Sequence, residues 1–162
     1  MFQFLKLQPE AFGLDISDLS IKVAQLKRKG RSFTLASFAD VPLEKGSIEK
    51  GEVKKEENLV QALEKIKTST KGKKISSPYA IVSLPEERAF LEVIQLPAME
   101  VKDLDQAVRF EAENYIPYSM DTVYVDYSLQ VSPEKSSHMD VLIASLPRQI
   151  VDSYLHFPPA ID

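Results

Sequence analysis

Apolar and polar positions alternate with a period of two through much of the first third of the chain, the signature of half-buried strands. Ala11–Ser17 and Leu19–Lys27 are predicted as strands one and two. In the second, Leu19, Ile21 and Val23 share one face, while Ala24 and Leu26 fall on the other. Either a bulge lies near Val23 or the strand is covered on both sides. The polar turn Lys27–Ser32, with Gly30, joins it to a third strand, Arg31–Val41, as a hairpin. Its basic residues fit a solvated tip or a contact with an anionic partner. A charged connection, Pro42–Asn58, follows. The period then changes: Leu59, Leu63 and Ile66, with Val60 and Ala62, predict a helix over Glu56–Ser69. After the polar loop Thr68–Ser77, the apolar run Pro78–Leu84 reads as a strand of a covered sheet. The first half is therefore βββαβ, antiparallel across its hairpin, with the helix returning the last strand parallel to the first.

The second half follows a different order. Ala89–Leu96 is a strand stopped by Pro97. Val101–Tyr115 is a helix with Leu104, Ala107, Val108, Ala112 and Tyr115 along one side, and Glu111 at the margin of that stripe. Ile116-Pro117 ends it, because a residue before proline is pushed out of the helical region. Thr122–Val131 and Met139–Leu146 are strands joined by a hairpin-type loop, and Pro147–Leu155 starts a last helix. That helix is closed early by Pro158 and Pro159. "AIVSLPEE" (Ala80–Glu87) and "LIASLPRQ" (Leu142–Gln149) echo each other, but their flanks differ, so they are similar strand stops rather than a repeat.

With 44% apolar and 27% charged residues, the 162-residue chain can bury a real core. Its formal net charge of −4 argues against a general nucleic-acid binder. The absence of cysteine excludes disulfides and thiolate chemistry, and two isolated histidines, His138 and His156, make a histidine-based zinc site a poor fit. No run approaches the roughly 20 apolar residues that span a bilayer. The N-terminal stretch with Phe2, Phe4, Leu5 and Leu7 is interrupted by Lys6 and Pro9 and lacks signal-peptide organisation. It reads as a leader packed on the domain or as a short membrane-surface foot.

Five glycines, at 13, 30, 46, 51 and 72, permit neither a P-loop nor a dinucleotide fingerprint. No hydrolase elbow or zinc-protease motif is present, and no catalytic residue is assigned. Asp15 stands out at the end of strand one. A carboxylate there can hold magnesium directly or through water, or it can accept backbone hydrogen bonds in a turn. A two-metal nuclease would need further acids gathered from later strands.

"GLDISDLSIK" (Gly13–Lys22) resembles the first phosphate-binding hairpin of the actin-like ATPase superfamily. "GSIEKGEV" (Gly46–Val53), "LPEERAFLEVIQLPAM" (Leu84–Met99), "AVRFEAENYIPYSMDTVYVDYSL" (Ala107–Leu129) and "VLIASLPRQIVDSYL" (Val141–Leu155) narrow this to the PilM family of type IV pilus assembly proteins, relatives of FtsA. The resemblance implies an α/β fold. Residues 1–85 would form a ribonuclease-H-like actin-fold subdomain 1A, and 86–162 a strand-helix-strand-strand (SHS2) subdomain 1C with a shortened C-terminal end. It also implies ATP and magnesium as cofactors, with Asp15, Ser17, Asp18, Ser20 and Lys22 at the phosphate turn and Asp15 on the magnesium side.

The same resemblance implies an adaptor that binds a PilN-type cytoplasmic peptide and other pilus assembly proteins. Such an adaptor would sit in the cytoplasm, peripheral at the inner face of the membrane, with indirect membrane contact and homo-oligomerisation left open. An actin-like ATP-binding protein or weak ATPase is the alternative. Two residues depart from the family turn. Ser17 replaces a glycine that lets a phosphate approach, and Asp18 replaces a hydroxyl residue. An ionised aspartate cannot donate to a phosphate oxygen and repels it, so nucleotide binding is expected to be weak or absent.

Overall fold

The computed structural model describes residues 10–75, 77–130 and 137–156. The N-terminal apolar stretch, most of the loop after Gln130 and the Pro158-Pro159 stop lie outside them. The chain separates into two units. Among the described residues, one takes those up to Pro85 together with Ser153–His156; the other takes those of Glu86–Asp152.

The first unit is built on a five-stranded sheet. Strand β1 (Ala11–Ile16) buries Phe12, Leu14 and Ile16 and exposes Gly13 and Asp15. β2 (Ser20–Lys29) buries Ile21, Val23 and Gln25, and β3 (Ser32–Pro42) buries Ser37, Ala39 and Val41. This alternation leaves one apolar face, which helix α1 (Glu56–Ser69) covers with Leu59, Ala62, Leu63 and Ile66. Glu56 and Glu57 in the first turn of α1 and Lys67 in the last complement its macrodipole. The helix ends at Thr70, whose N–H and hydroxyl both donate to the Ile66 carbonyl, at 3.0 and 2.6 Å.

Two-residue strands fill the connections. β4 (Ile48–Glu49) and β5 (Glu52–Val53) form a miniature hairpin, and β6 (Lys71–Gly72) pairs with the edge of β3. β7 (Tyr79–Ser83) then pairs parallel to β1, which gives the sheet order β6-β3-β2-β1-β7. Several details depart from the periodicity. Strand β1 stops at Ile16, not Ser17, and β2 starts at Ser20. Leu19 lies in the turn between them, 75% exposed. The bulge lies between Gln25 and Leu26 rather than near Val23, and β2 is buried on the α1 side only. β7 is half-exposed rather than covered on both faces.

The second unit has a three-stranded antiparallel sheet, ordered β8-β10-β9, made by β8 (Phe90–Pro97), β9 (Val123–Leu129) and β10 (His138–Pro147). Helix α2 (Val101–Tyr115) lays Leu104, Val108 and Ala112 on Ile94, Leu96, Val141 and Ile143. Ile116 closes this core, its N–H bonding to the Ala112 carbonyl at 2.9 Å as the chain leaves the helix. Glu111 is half-buried at the margin of the stripe, while Tyr115 is exposed rather than packed. Pro147 belongs to β10, and helix α3 (Arg148–Leu155) begins one residue later than its proline suggests.

Candidate functional site

The Ser17–Ser20 turn that joins β1 to β2 is held by its own side chain. The Ser17 N–H donates to the Ser20 carbonyl at 3.0 Å. Its hydroxyl donates to that same carbonyl at 3.0 Å and accepts from the Ser20 N–H at 3.2 Å. This serine turn explains why β1 ends early and why Leu19 is pushed into solvent. The Ser17 hydroxyl is thereby committed to the backbone. Asp18 is exposed, and its Oδ2 accepts the Lys50 N–H at 3.4 Å. Lys50 has φ 51° and Gly51 φ 73°, the paired left-handed residues of a tight hairpin turn between β4 and β5. Asp18 thus braces the second turn from the first.

On the sheet face away from α1, register brings four strands into one polar row. Asp15 of β1 stands opposite Lys22 of β2, and Lys22 stands opposite Asp40 of β3. On the other side Asp15 is level with Ser83 of β7, whose hydroxyl donates to Asp15 Oδ1 at 2.5 Å. The row Ser83–Asp15–Lys22–Asp40 lies in a shallow recess of about 640 Å³ whose lining also includes Gly13, Ala24, Phe38 and Ile81. Lys22 has no ion pair within 4.0 Å among the described residues, so its ammonium is available to an anion.

Of the five residues expected at the phosphate turn, Asp15 and Lys22 reach this recess, whereas Ser17 and Asp18 are spent on the turns. Ser20 is half-buried and contributes its backbone to the turn. Asp40 and Ser83 were not legible as site residues in the sequence. Same-face alternation within β3 and β7 is the signal that could have found them. Among the described residues, no three histidine or carboxylate side chains gather as a metal-binding set. Asp15 and Asp40 are instead held apart by Lys22.

Residues 13–161 match the family model described as type IV pilus assembly protein PilM. The chain belongs to that family. A chain of the PilM–PilN type IV pilus biogenesis complex superposes on 94% of it, with a TM-score of 0.76 and 25% sequence identity. The match occupies 44% of that solved chain, so the present chain spans less than half the length of its relative. The cytoplasmic domain of EpsL, an inner-membrane component of the Vibrio cholerae type II secretion system, covers 90% of this chain and matches over 50% of its own. At a TM-score of 0.51 and 11% identity it shares the fold alone. The architecture is thus the mixed α/β, actin-like fold of the family, with a βββαβ unit followed by a strand-helix-strand-strand unit. Among the described residues no helix is long and apolar enough to cross a membrane.

Proposed function

We propose that this chain serves type IV pilus assembly as a non-catalytic scaffold that binds the cytoplasmic segment of a PilN-type membrane protein. In this reading it lies in the cytoplasm, at the inner face of the membrane. The observation that carries the proposal is the likeness of 94% of the chain to a chain of the PilM–PilN complex. The turn chemistry supports it. Where an actin-like ATPase needs a glycine and a free hydroxyl, this chain has a serine bonded to its own backbone and a carboxylate bracing a neighbouring turn. A phosphate brought to Ser17 and Asp18 meets a hydroxyl already bonded to the backbone and one like charge, which costs roughly 1–4 kcal/mol near 4 Å at surface-like dielectrics.

Isothermal calorimetry with a synthetic peptide copying a PilN N-terminal segment tests this reading. Saturable binding to folded chain is expected, and its absence with soluble, folded protein overturns the proposal. A second reading, weak ATP binding, is favoured by one observation: Lys22 faces the recess beside Asp15 without an ion pair. Titration of fluorescent ATP with magnesium separates the two. The scaffold reading expects no saturable signal at millimolar nucleotide.

A further inference from the structure

The hairpin of β2 and β3 outruns the sheet. Beyond the Leu26–Leu35 pair, neither strand has another neighbour among the described residues, and both continue through the pairs Lys27–Thr34, Arg28–Phe33 and Lys29–Ser32. Gly30 and Arg31 close the tip, with Gly30 at φ +64° and open space around it. This arm projects roughly 13 Å at about 3.3 Å per residue. Every residue from Leu26 to Leu35 is exposed.

The arm is two-sided. Residues opposite each other on paired strands point to the same face. Leu26, Leu35, Arg28 and Phe33 therefore share one face, with the three apolar side chains 58%, 56% and 66% exposed. The other face and the tip carry Lys27, Lys29 and Arg31. The loop after β6 brings Lys73 and Lys74 to the base of the arm, where they line a small recess with Leu26 and Lys27; Glu10 is the acid present there. None of these six cations has an ion pair within 4.0 Å among the described residues. Six unpaired cations on a chain of net charge −4 are a concentration of one sign.

From this arm we propose that the β2–β3 hairpin is a membrane-surface contact that docks on anionic phospholipid. The cations meet headgroup phosphates, while Phe33 and Leu35 enter the boundary of the acyl chains, which lies within the roughly 5–10 Å reached by interfacial apolar side chains. A nucleic acid would satisfy the cations but leave Leu35 in water. A lipid surface satisfies both kinds of group. This contact is direct and separate from attachment through a partner protein.

The test uses the full chain and vesicles of phosphatidylcholine with or without about a third phosphatidylglycerol. Co-sedimentation at low salt is expected with the anionic vesicles and not with the neutral ones. The combined variant Lys27→Ser, Arg28→Ser, Lys29→Ser and Arg31→Ser should lose about 600-fold in partitioning, at about fivefold per cation. All four positions are exposed, and circular dichroism verifies the fold. A second readout exploits the absence of tryptophan from the chain. In Phe33→Trp the indole is the sole tryptophan, and its emission should move to the blue on anionic vesicles only. No binding, equal binding to neutral vesicles, full binding by the fourfold variant, or unmoved emission overturns the proposal. So does binding to a single-stranded oligonucleotide in place of vesicles.

Discussion

Gly72 is the residue that closes the edge of the first sheet, and replacing it with alanine should be costly. Its φ of +95° lies where side-chain-bearing residues are strained. An added Cβ would also stand 2.2 Å from the Ala36 carbonyl oxygen, a backbone atom that cannot swing away. The only relief is to draw β6 off β3. That breaks the Lys73 N–H to Ala36 carbonyl bond at 3.0 Å and parts the fully buried Ser37 hydroxyl from the Lys73 carbonyl, now 2.5 Å away. The positive φ costs about 1 kcal/mol. The lost backbone bond costs about 1 and the stranded buried hydroxyl about 1–3. Gly72→Ala is therefore expected to destabilise the protein by about 3–5 kcal/mol.

Gly30→Ala is the control. It has a positive φ but nothing within 4 Å of the added Cβ, so about 1 kcal/mol is expected. Urea unfolding followed by circular dichroism should show the midpoint of Gly72→Ala falling by roughly 1–3 M. A fall no larger than that of Gly30→Ala would refute the steric argument. The position matters beyond stability, because β6 delivers Lys73 and Lys74 to the base of the basic hairpin.

Three further outcomes follow from single residues. The Ser145 hydroxyl is buried in the second unit with no hydrogen-bond partner among the described residues, so Ser145→Ala should raise stability by about 1 kcal/mol in urea unfolding. Asp121 titrates below the ordinary carboxylate range, chiefly because the Ser119 hydroxyl donates to it, with its own backbone N–H and Arg148 adding to the effect. Being depressed, it supports folding above its unfolded pKa and loses that support as pH falls through the folded value; Ser119→Ala should return the NMR carboxyl titration of Asp121 toward normal. Asp18→Asn removes the charge at the phosphate turn while keeping an oxygen for the Lys50 N–H. If charge is the obstacle, fluorescent-ATP affinity should rise on the order of tenfold or more; an unchanged titration shifts the obstacle to the committed Ser17 hydroxyl.

Long periodic elements are legible in the sequence. α1 and α2 have the bounds that Leu59, Leu63 and Ile66, and Leu104, Val108 and Ala112, imply. Such helices announce themselves because each buried residue repeats the same instruction every three or four positions. Two-residue ladders such as β4–β5 and β6 carry no period and exist only through their partners. Leu19 misled for a local reason: side-chain hydrogen bonding by Ser17 outweighed its apolar character. Within the candidate site, Asp15 and Lys22 were legible because they share one short motif. Asp40 and Ser83 join them only through strand register, and the contact from Asp18 to Lys50 crosses 32 positions of chain.

The charges of the first sheet are unevenly spread along its strands, with Lys22 the one cation set between the aspartates Asp15 and Asp40. Asp15, Asp18 and Asp40 lie toward the Ser20 end of β2, and Lys27, Arg28, Lys29 and Arg31 at the other. Between Lys22 and Lys29 the strand covers roughly 23 Å at about 3.3 Å per residue. Net negative charge at one end of these strands and positive charge at the other give them an electric dipole along their own direction. Facing a negatively charged surface, such a dipole experiences a torque before anything touches, and this turns the arginine-bearing tip inward and the aspartates outward. Alignment would then precede contact, reach little beyond about 10 Å at 0.1 M salt, and fade as ionic strength rises.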